Sequence, residues 1–196
     1  FQRQGYAAAL TDPEVLAAIA GTAYGTIAVT YIEWAETTAV IAPWTRIDGA
    51  EAAAGFAAHL LAQPRQARGR NAIGGALLEG LRQIEQNDIQ GWRRVIDFSG
   101  DSANNHSGPG IAEARVQVLA AGVTINALPI LRPGDPGRAQ GGLEALYEQR
   151  IIGGMGAFVV TAESRASFAE AVKRKLVLEI SGALPGAPHL AQAQKE

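Results

Sequence analysis

One stretch constrains the fold of this chain more than any other: an apolar strand that breaks into a polar loop and resumes as a helix. Arg94 to Phe98 is typical of a buried strand, and Ile111 to Ala121 is a helix-forming run. The loop between them has no bulky apolar residue, and its potential ligand-binding side chains are Ser99, Asp101, Ser102, Asn104, Asn105 and His106. In α/β proteins such a unit places a ligand site at the carboxyl end of the strand. We therefore expect this loop to carry the functional site.

The rest of the chain repeats this alternation of strands and helices. Further strands are predicted at Thr26–Ile32, Thr38–Ala42, Val123–Leu128 and Ala157–Thr161. Pro43 is expected to end the second of these strands. The expected helix caps are Asp12, Asp48, Asn71 and Ser164. This order predicts an α/β fold with a mostly parallel central sheet and helices on both faces.

The length of the chain suits one well-buried domain. At 196 residues it is too short for two domains of ordinary size. We assign residues 1–181 to this domain, and residues 182–196, with two prolines and no apolar periodicity, to a tail or linker. Phe1 is not an initiator methionine, so we expect the natural start of the protein to lie elsewhere.

Composition excludes several classes of function. A hydrophobic content of 47% with 18% charged residues is typical of a globular chain. The net charge of −2 and the pI of about 6.0 provide no electrostatic footprint for nucleic acid. The absence of cysteine excludes disulfides, thiolate metal sites and cysteine nucleophiles. No apolar run approaches the length of about 18 residues that a transmembrane helix requires.

Within the loop, Asp101 has two interpretations. Mg²⁺ and similar cations prefer carboxylate, hydroxyl and amide oxygens, all of which this loop supplies. Alternatively, Asp101 and the asparagines cap the following helix and close Asx-turns. His106 is expected to be an exposed loop residue, because the chain lacks the Gly-x-Ser-x-Gly elbow of a Ser-His-Asp hydrolase. Asp97, inside the strand, is expected to pair with a neighbour such as an arginine.

Several segments together resemble one family: Val95–Asn105, Ala121–Ile130, Val159–Val160 with Phe168–Leu176, Tyr6–Leu10, Ile27–Trp34 and Gly69–Gly74. The resemblance runs from Gly5 to about Gly182. The family consists of uncharacterised von Willebrand factor A-like proteins, common in proteobacteria and usually carrying a secretion signal. Membership implies a von Willebrand factor A fold, with a mostly parallel central sheet and helices on both faces, and a periplasmic or secreted location.

The resemblance also implies a metal-ion-dependent adhesion site at one edge of the sheet. In such domains an Asp-x-Ser-x-Ser loop follows the first strand, a threonine precedes a later helix, and an aspartate follows the fourth strand. Asp101 matches this aspartate, and Asn71 stands in the place of the threonine. The Asp-x-Ser-x-Ser loop and its central strand have no counterpart in the sequence. We therefore expect either a natural start upstream or another segment in the place of that strand.

The function expected from this resemblance is that of a non-enzymatic protein-binding module. The partner would contact the loops around Asn71 and Asp101, and its carboxylate would complete the shell of a bound Mg²⁺ or another divalent cation. Ser99, Ser102, Asn104 and Asn105 would belong to the same ligand loop. Two alternatives stay open. The first is a structural accessory subunit of a larger, membrane-associated assembly, with a degenerate metal site. The second is a small-molecule enzyme in which Asp101 and His106 act as acid and base.

Overall fold

A computed structural model of the chain describes residues 1–137, 139 and 141–183. The elements of these residues are, in order, α1 (Gln2–Leu10), α2 (Pro13–Ala20), β1 (Ile27–Trp34), β2 (Thr38–Ile47), α3 (Ala50–Ala62), α4 (Ile73–Glu85), β3 (Val95–Gly100), α5 (Ile111–Ala120), β4 (Thr124–Pro129), α6 (Leu143–Arg150) and α7 (Phe168–Ser181). From position 184 onward, the predicted tail lies outside the described residues. None of the helices that the structure describes is long and apolar enough to cross a membrane.

The described strands form two separate sheets of two strands each. β1 and β2 form an antiparallel hairpin, whereas β3 and β4 pair in parallel. The strand expected at Ala157–Thr161 is present only as isolated parallel bridges, from Val159 to Ala127 in β4 and from Ala162 to Ile130 just after β4. The α/β class is thus confirmed, but the mostly parallel central sheet is reduced to two regularly paired strands.

In the described residues, no strand pairing joins the two sheets. Within the described part of the chain, one edge of β1 and one edge of β3 have no strand partner, so no described segment replaces the expected central strand. Two aromatic contacts connect the sheets instead. The rings of Trp34 and Phe98 lie 4.9 Å apart, and those of Tyr24 and Trp92, just before β1 and β3, lie 5.6 Å apart. Helix α4 packs against strands of both sheets.

The prediction that Pro43 ends the second strand is wrong, because β2 continues through it to Ile47. The register of the hairpin shifts between Val29 and Tyr31, opposite this proline. At that irregularity the hydroxyl of Thr30 donates to the carbonyl of Ala42 at 2.8 Å. A proline is tolerated at a bulge because the regular ladder does not require its missing N–H there.

Of the four predicted helix caps, one is confirmed. Asp12 accepts a hydrogen bond of 2.8 Å from the N–H of Glu14 in the first turn of α2. Helices α3 and α4 begin at residues 50 and 73, so Asp48 and Asn71 lie one residue too early to be their caps. The prediction that Ser164 caps the last helix is also wrong, because α7 begins at residue 168 without a side-chain cap.

A buried polar network connects α7 to the sheet of β3 and β4. Lys175 of α7 has no exposed surface, and its ammonium lies 2.7 Å from Asp97 and 2.8 Å from Glu179. Asn126 of β4 donates to Glu179 at 2.9 Å and accepts the N–H of Phe158 at 3.1 Å. Asp97 is therefore paired as expected, but with a lysine instead of an arginine. Burial alone would lower the pKa of Lys175, yet the two carboxylates raise it, so the lysine is charged.

Candidate functional site

The loop between β3 and α5 lies at the carboxyl end of β3 and packs against the start of α4. The N–H of His106 donates to the carbonyl of Asn71 at 2.7 Å. The side-chain oxygen of Asn105 accepts the N–H of Gly74 at 3.1 Å, and its amide donates to the carbonyl of Pro109 at 2.9 Å. Asn105 thus provides the capping bond that the sequence assigned to Asn71. The loop and the start of α4 form one continuous surface.

Gly74 is required for this close packing. A Cβ at this position would lie 2.1 Å from the carbonyl oxygen of Pro109, well inside van der Waals contact.

The bond from the N–H of Gly74 to Asn105 makes Asn105 a cap of α4, the helix that precedes the loop. Helix α5, which follows the loop, begins without a side-chain cap. The interpretation of the loop asparagines as caps of the following helix is wrong.

Asp101 forms an ion pair with Arg132, a residue shortly after β4. One terminal guanidinium nitrogen lies 3.0 Å from the carboxylate, and Nε lies at 3.3 Å. Both side chains are partly exposed, at 41% for Asp101 and 61% for Arg132, so the pair contributes less than about 1 kcal/mol to stability. The N–H of Arg132 is in turn held by the Asp135 carboxylate at 2.7 Å. Arg132 was missed at the sequence level, although its position after the next parallel strand places it at the same edge of the sheet.

The serines and Asn104 differ in their surroundings. The Ser102 hydroxyl accepts the N–H of Asn104 at 3.1 Å, and the Ser102 carbonyl accepts the hydroxyl of Tyr147 at 3.0 Å. Burial, together with the charge of Asp101, raises the pKa of Tyr147, so its hydroxyl stays protonated and donates. This bond connects the loop to α6. The Asn104 side chain is exposed, whereas Ser99 is part of β3 and lies half-buried.

The structure brings the backbones of Asn71 and His106 together but leaves their side chains apart from Asp101. Across the described residues, no hydrogen bond or ion pair joins either side chain to this carboxylate, and His106 is exposed as expected. A cavity of about 580 Å³ lies beside the loop. Its lining includes Asn104, Asn105, the start of α5, Arg115 and Arg150.

The described residues form an incomplete site for a divalent cation. No three His, Cys, Asp or Glu side chains among them lie close enough together to hold a metal ion. Asp101 supplies one carboxylate. Mg²⁺ is usually bound by one or two carboxylates together with several waters and other oxygen ligands. Arg132 is paired with that one carboxylate. A cation held by Asp101 and Asn71 would therefore require Arg132 to move and further oxygen ligands to be supplied.

The segment before α4 is held in place from its inner side. The carboxylate of Glu33, in β1, accepts the N–H groups of Gln66 at 2.7 Å and Ala67 at 2.9 Å, and it pairs with Arg3 at 2.8 Å. Burial alone would raise the pKa of Glu33, but these donors outweigh that effect and lower it. Residues 63–71 are thereby fixed beside the loop without regular secondary structure of their own.

Similar solved structures define the class of this domain. Proximal thread matrix protein 1 from the mussel byssus matches with a TM-score of 0.60 and 15% identity, over 92% of this chain and 42% of that one. BatB, a conserved hypothetical protein from Bacteroides thetaiotaomicron, matches with a TM-score of 0.52 and 19% identity, over 79% of this chain and 80% of that one. Both are von Willebrand factor A-like proteins, and at these identities the likeness shows the fold alone. The chain is therefore an α/β domain with a fold similar to that of these two proteins.

The chain belongs to the family described as protein of unknown function (DUF1194), whose model matches residues 1–184. Together with the similar structures, this match supports the resemblance to an uncharacterised von Willebrand factor A-like family. Among curated proteins, none matches the chain. The chain spans less than half the length of the mussel protein.

Proposed function

We propose that this domain binds a protein partner through one surface, formed by the β3–α5 loop, the segment before α4 and the residues that follow β4. The observation that carries the proposal is an exposed polar loop with a fixed backbone. Asn104 and His106 are exposed, while the backbone beneath them is held by Tyr147, Asn105 and Asn71. A loop that is ordered before binding loses less conformational entropy when a partner docks.

A binding role is favoured over a catalytic one by the state of Asp101. Its carboxylate is paired with Arg132, and no described contact connects it to His106. A general acid and base must both reach the reacting atoms. Loops fixed on a rigid scaffold are, by contrast, common binding sites.

The partner-binding proposal is tested by affinity capture with matched variants. Wild type, Asp101→Ala and Met155→Ala proteins are immobilised, and the proteins each retains from extracts of the producing organism are quantified by mass spectrometry. Met155 is 95% exposed and lies between α6 and α7, away from the loop surface. We expect a partner that wild type and Met155→Ala retain equally and that Asp101→Ala loses. Equal retention by all three variants would refute the proposal.

We also propose that a divalent cation competes with Arg132 for the carboxylate of Asp101, with Asn71 as a further oxygen donor. Replacing Arg132 with Met removes the competing guanidinium and should strengthen Mg²⁺ binding at least about tenfold in calorimetric titration. Asp101→Asn should abolish the binding. Identical Mg²⁺ titrations for all three proteins would refute the cation site, whereas the partner-binding proposal would be judged by the capture experiment alone.

A further inference from the structure

A second exposed surface lies where β3 begins, at the end of that strand opposite the loop. Trp92 is 82% exposed and Tyr24 is 69% exposed. Their rings contact each other edge to face, with centroids 5.6 Å apart and planes at 81°. Most large apolar side chains of this domain are buried in its two cores. An exposed pair of aromatic rings in mutual contact is therefore a candidate binding surface.

A cavity of about 600 Å³ adjoins Trp92, and its lining is mainly polar. Glu85 and Gln90 line it, and their side chains make no hydrogen bond or ion pair within the described part of the chain. Arg94 also lines it and uses one terminal nitrogen to donate to the carbonyl of Ala121. A carboxylate, an amide and most of a guanidinium are thus available beside an exposed aromatic face.

This combination restricts the chemistry of the ligand. A lipid chain or an apolar helix would cover the carboxylate and the amide without pairing them, and burying unpaired polar groups is unfavourable. An oligosaccharide matches both parts of the surface, because its hydroxyls bond to polar side chains and its C–H faces pack on an aromatic ring. We propose that Trp92 and Tyr24 form the platform of a carbohydrate-binding site, with Glu85, Gln90 and Arg94 as its hydrogen-bonding groups. The site lies apart from the loop surface and does not depend on the function proposed for it.

Tryptophan fluorescence and calorimetry test this proposal, with cellotetraose, chitotetraose and maltotetraose as probes. Trp34 stacks near Phe98, and Trp44 donates to the carbonyl of Gln83 at 3.0 Å, so Trp92 is the most exposed of the three emitters. At least one tetrasaccharide should shift the emission to shorter wavelength, with a Kd on the order of 1 mM. Trp92→Ala should weaken that binding at least about tenfold.

Two further variants separate a binding role from a structural one. Leu61→Ala removes another exposed apolar side chain, on α3, and should leave the affinity unchanged. Glu85→Gln combined with Gln90→Ala keeps the aromatic platform and should weaken binding about tenfold without changing the thermal unfolding midpoint. The proposal is overturned if no tetrasaccharide changes the emission of wild type at about 10 mM, or if Trp92→Ala binds as tightly as wild type. It is also overturned if vesicles of phosphatidylcholine and phosphatidylglycerol shift the emission while all three sugars do not.

Discussion

Lys175 provides the sharpest test of how this fold is held together. Its ammonium is fully buried and lies between two carboxylates, at 2.7 Å from Asp97 and 2.8 Å from Glu179. Replacing it with methionine keeps most of the side-chain volume but removes the charge. Among the described residues, no other cation pairs with these two carboxylates, which are only 17% and 15% exposed.

The expected loss follows from these distances. At about 2.8 Å and an effective dielectric constant of about 20, each pair gains about 6 kcal/mol of Coulomb energy. Desolvation of the three groups offsets much of that gain, and breaking a buried pair by removing one partner costs about 3–5 kcal/mol. For a domain of this size, Lys175→Met should therefore lower the unfolding midpoint by about 10 °C.

The loss should depend on pH in a defined direction. Burial already raises the pKa of Asp97 in wild type, and Lys175 opposes that effect, so removing the lysine raises this pKa further. As pH falls through the pKa of Asp97 in the variant, the acid becomes neutral and the deficit relative to wild type shrinks. In wild type, the pKa of Lys175 is raised, so its contribution is fully present below its unfolded pKa of about 10.4 and is lost as pH rises through the folded value.

Urea unfolding of both proteins at pH 7 and pH 4, followed by circular dichroism, measures this deficit. Lys173→Met is the matched control, because Lys173 lies on the same helix but pairs at the surface with Asp12, Glu14 and Glu170. Its effect should be much smaller. A loss below about 1 kcal/mol for Lys175→Met, or an equal loss at both pH values, would refute the reasoning.

Three further predictions concern the loop surface. Glu33→Gln should destabilise the protein by about 1 kcal/mol at pH 7. Because the pKa of Glu33 is lowered in the folded protein, the difference in stability between variant and wild type should vanish as pH falls through that pKa. Urea unfolding at pH 7 and pH 3 measures this change. Asn105→Ala should cost about 1 kcal/mol through loss of the α4 capping bond, seen as faster amide exchange in the first turn of α4; unchanged exchange would contradict the capping role. Gly74→Ala should cost about 1–3 kcal/mol, because its Cβ would meet the Pro109 carbonyl oxygen at 2.1 Å. Gly75→Ala, whose Cβ finds its nearest neighbour at 3.7 Å, is the control; equal melting temperatures for the two variants would contradict this packing.

The order of elements was predictable from the sequence because hydrophobic periodicity is a local property. The pairing of the strands was harder to predict from the sequence. Thr38–Ala42 was correctly predicted to be a strand, but its antiparallel partner and its continuation past Pro43 depend on the register of the hairpin. The segment around Val159 has the composition of a strand, yet it makes only isolated bridges, to β4 and to the residue just after it. Helices α3 and α4 begin one residue later than predicted, and this shift was enough to move Asp48 and Asn71 out of the capping position.

The candidate site was predictable in position but not in its contacts. The sequence placed polar residues at the carboxyl end of β3, and the structure confirms that Asp101 and Asn104 lie there. The partners of these residues come from distant parts of the chain: Arg132 for Asp101, and Tyr147 for the backbone of Ser102. Such long-range pairs leave no local pattern in a single sequence. The cation, the partner and the periplasmic or secreted location stay predictions.

Site-specific photo-cross-linking tests the central claim, that the loop surface binds a protein partner. Benzoylphenylalanine is placed at Asn104, on the exposed part of the loop, or at Met155, which is 95% exposed elsewhere. Each protein is irradiated in extracts of the producing organism. We predict a cross-linked protein that appears with the probe at position 104, is absent with the probe at position 155, and is lost when Asp101→Ala is added. The same cross-linked proteins from both positions, unaffected by Asp101→Ala, would contradict the claim.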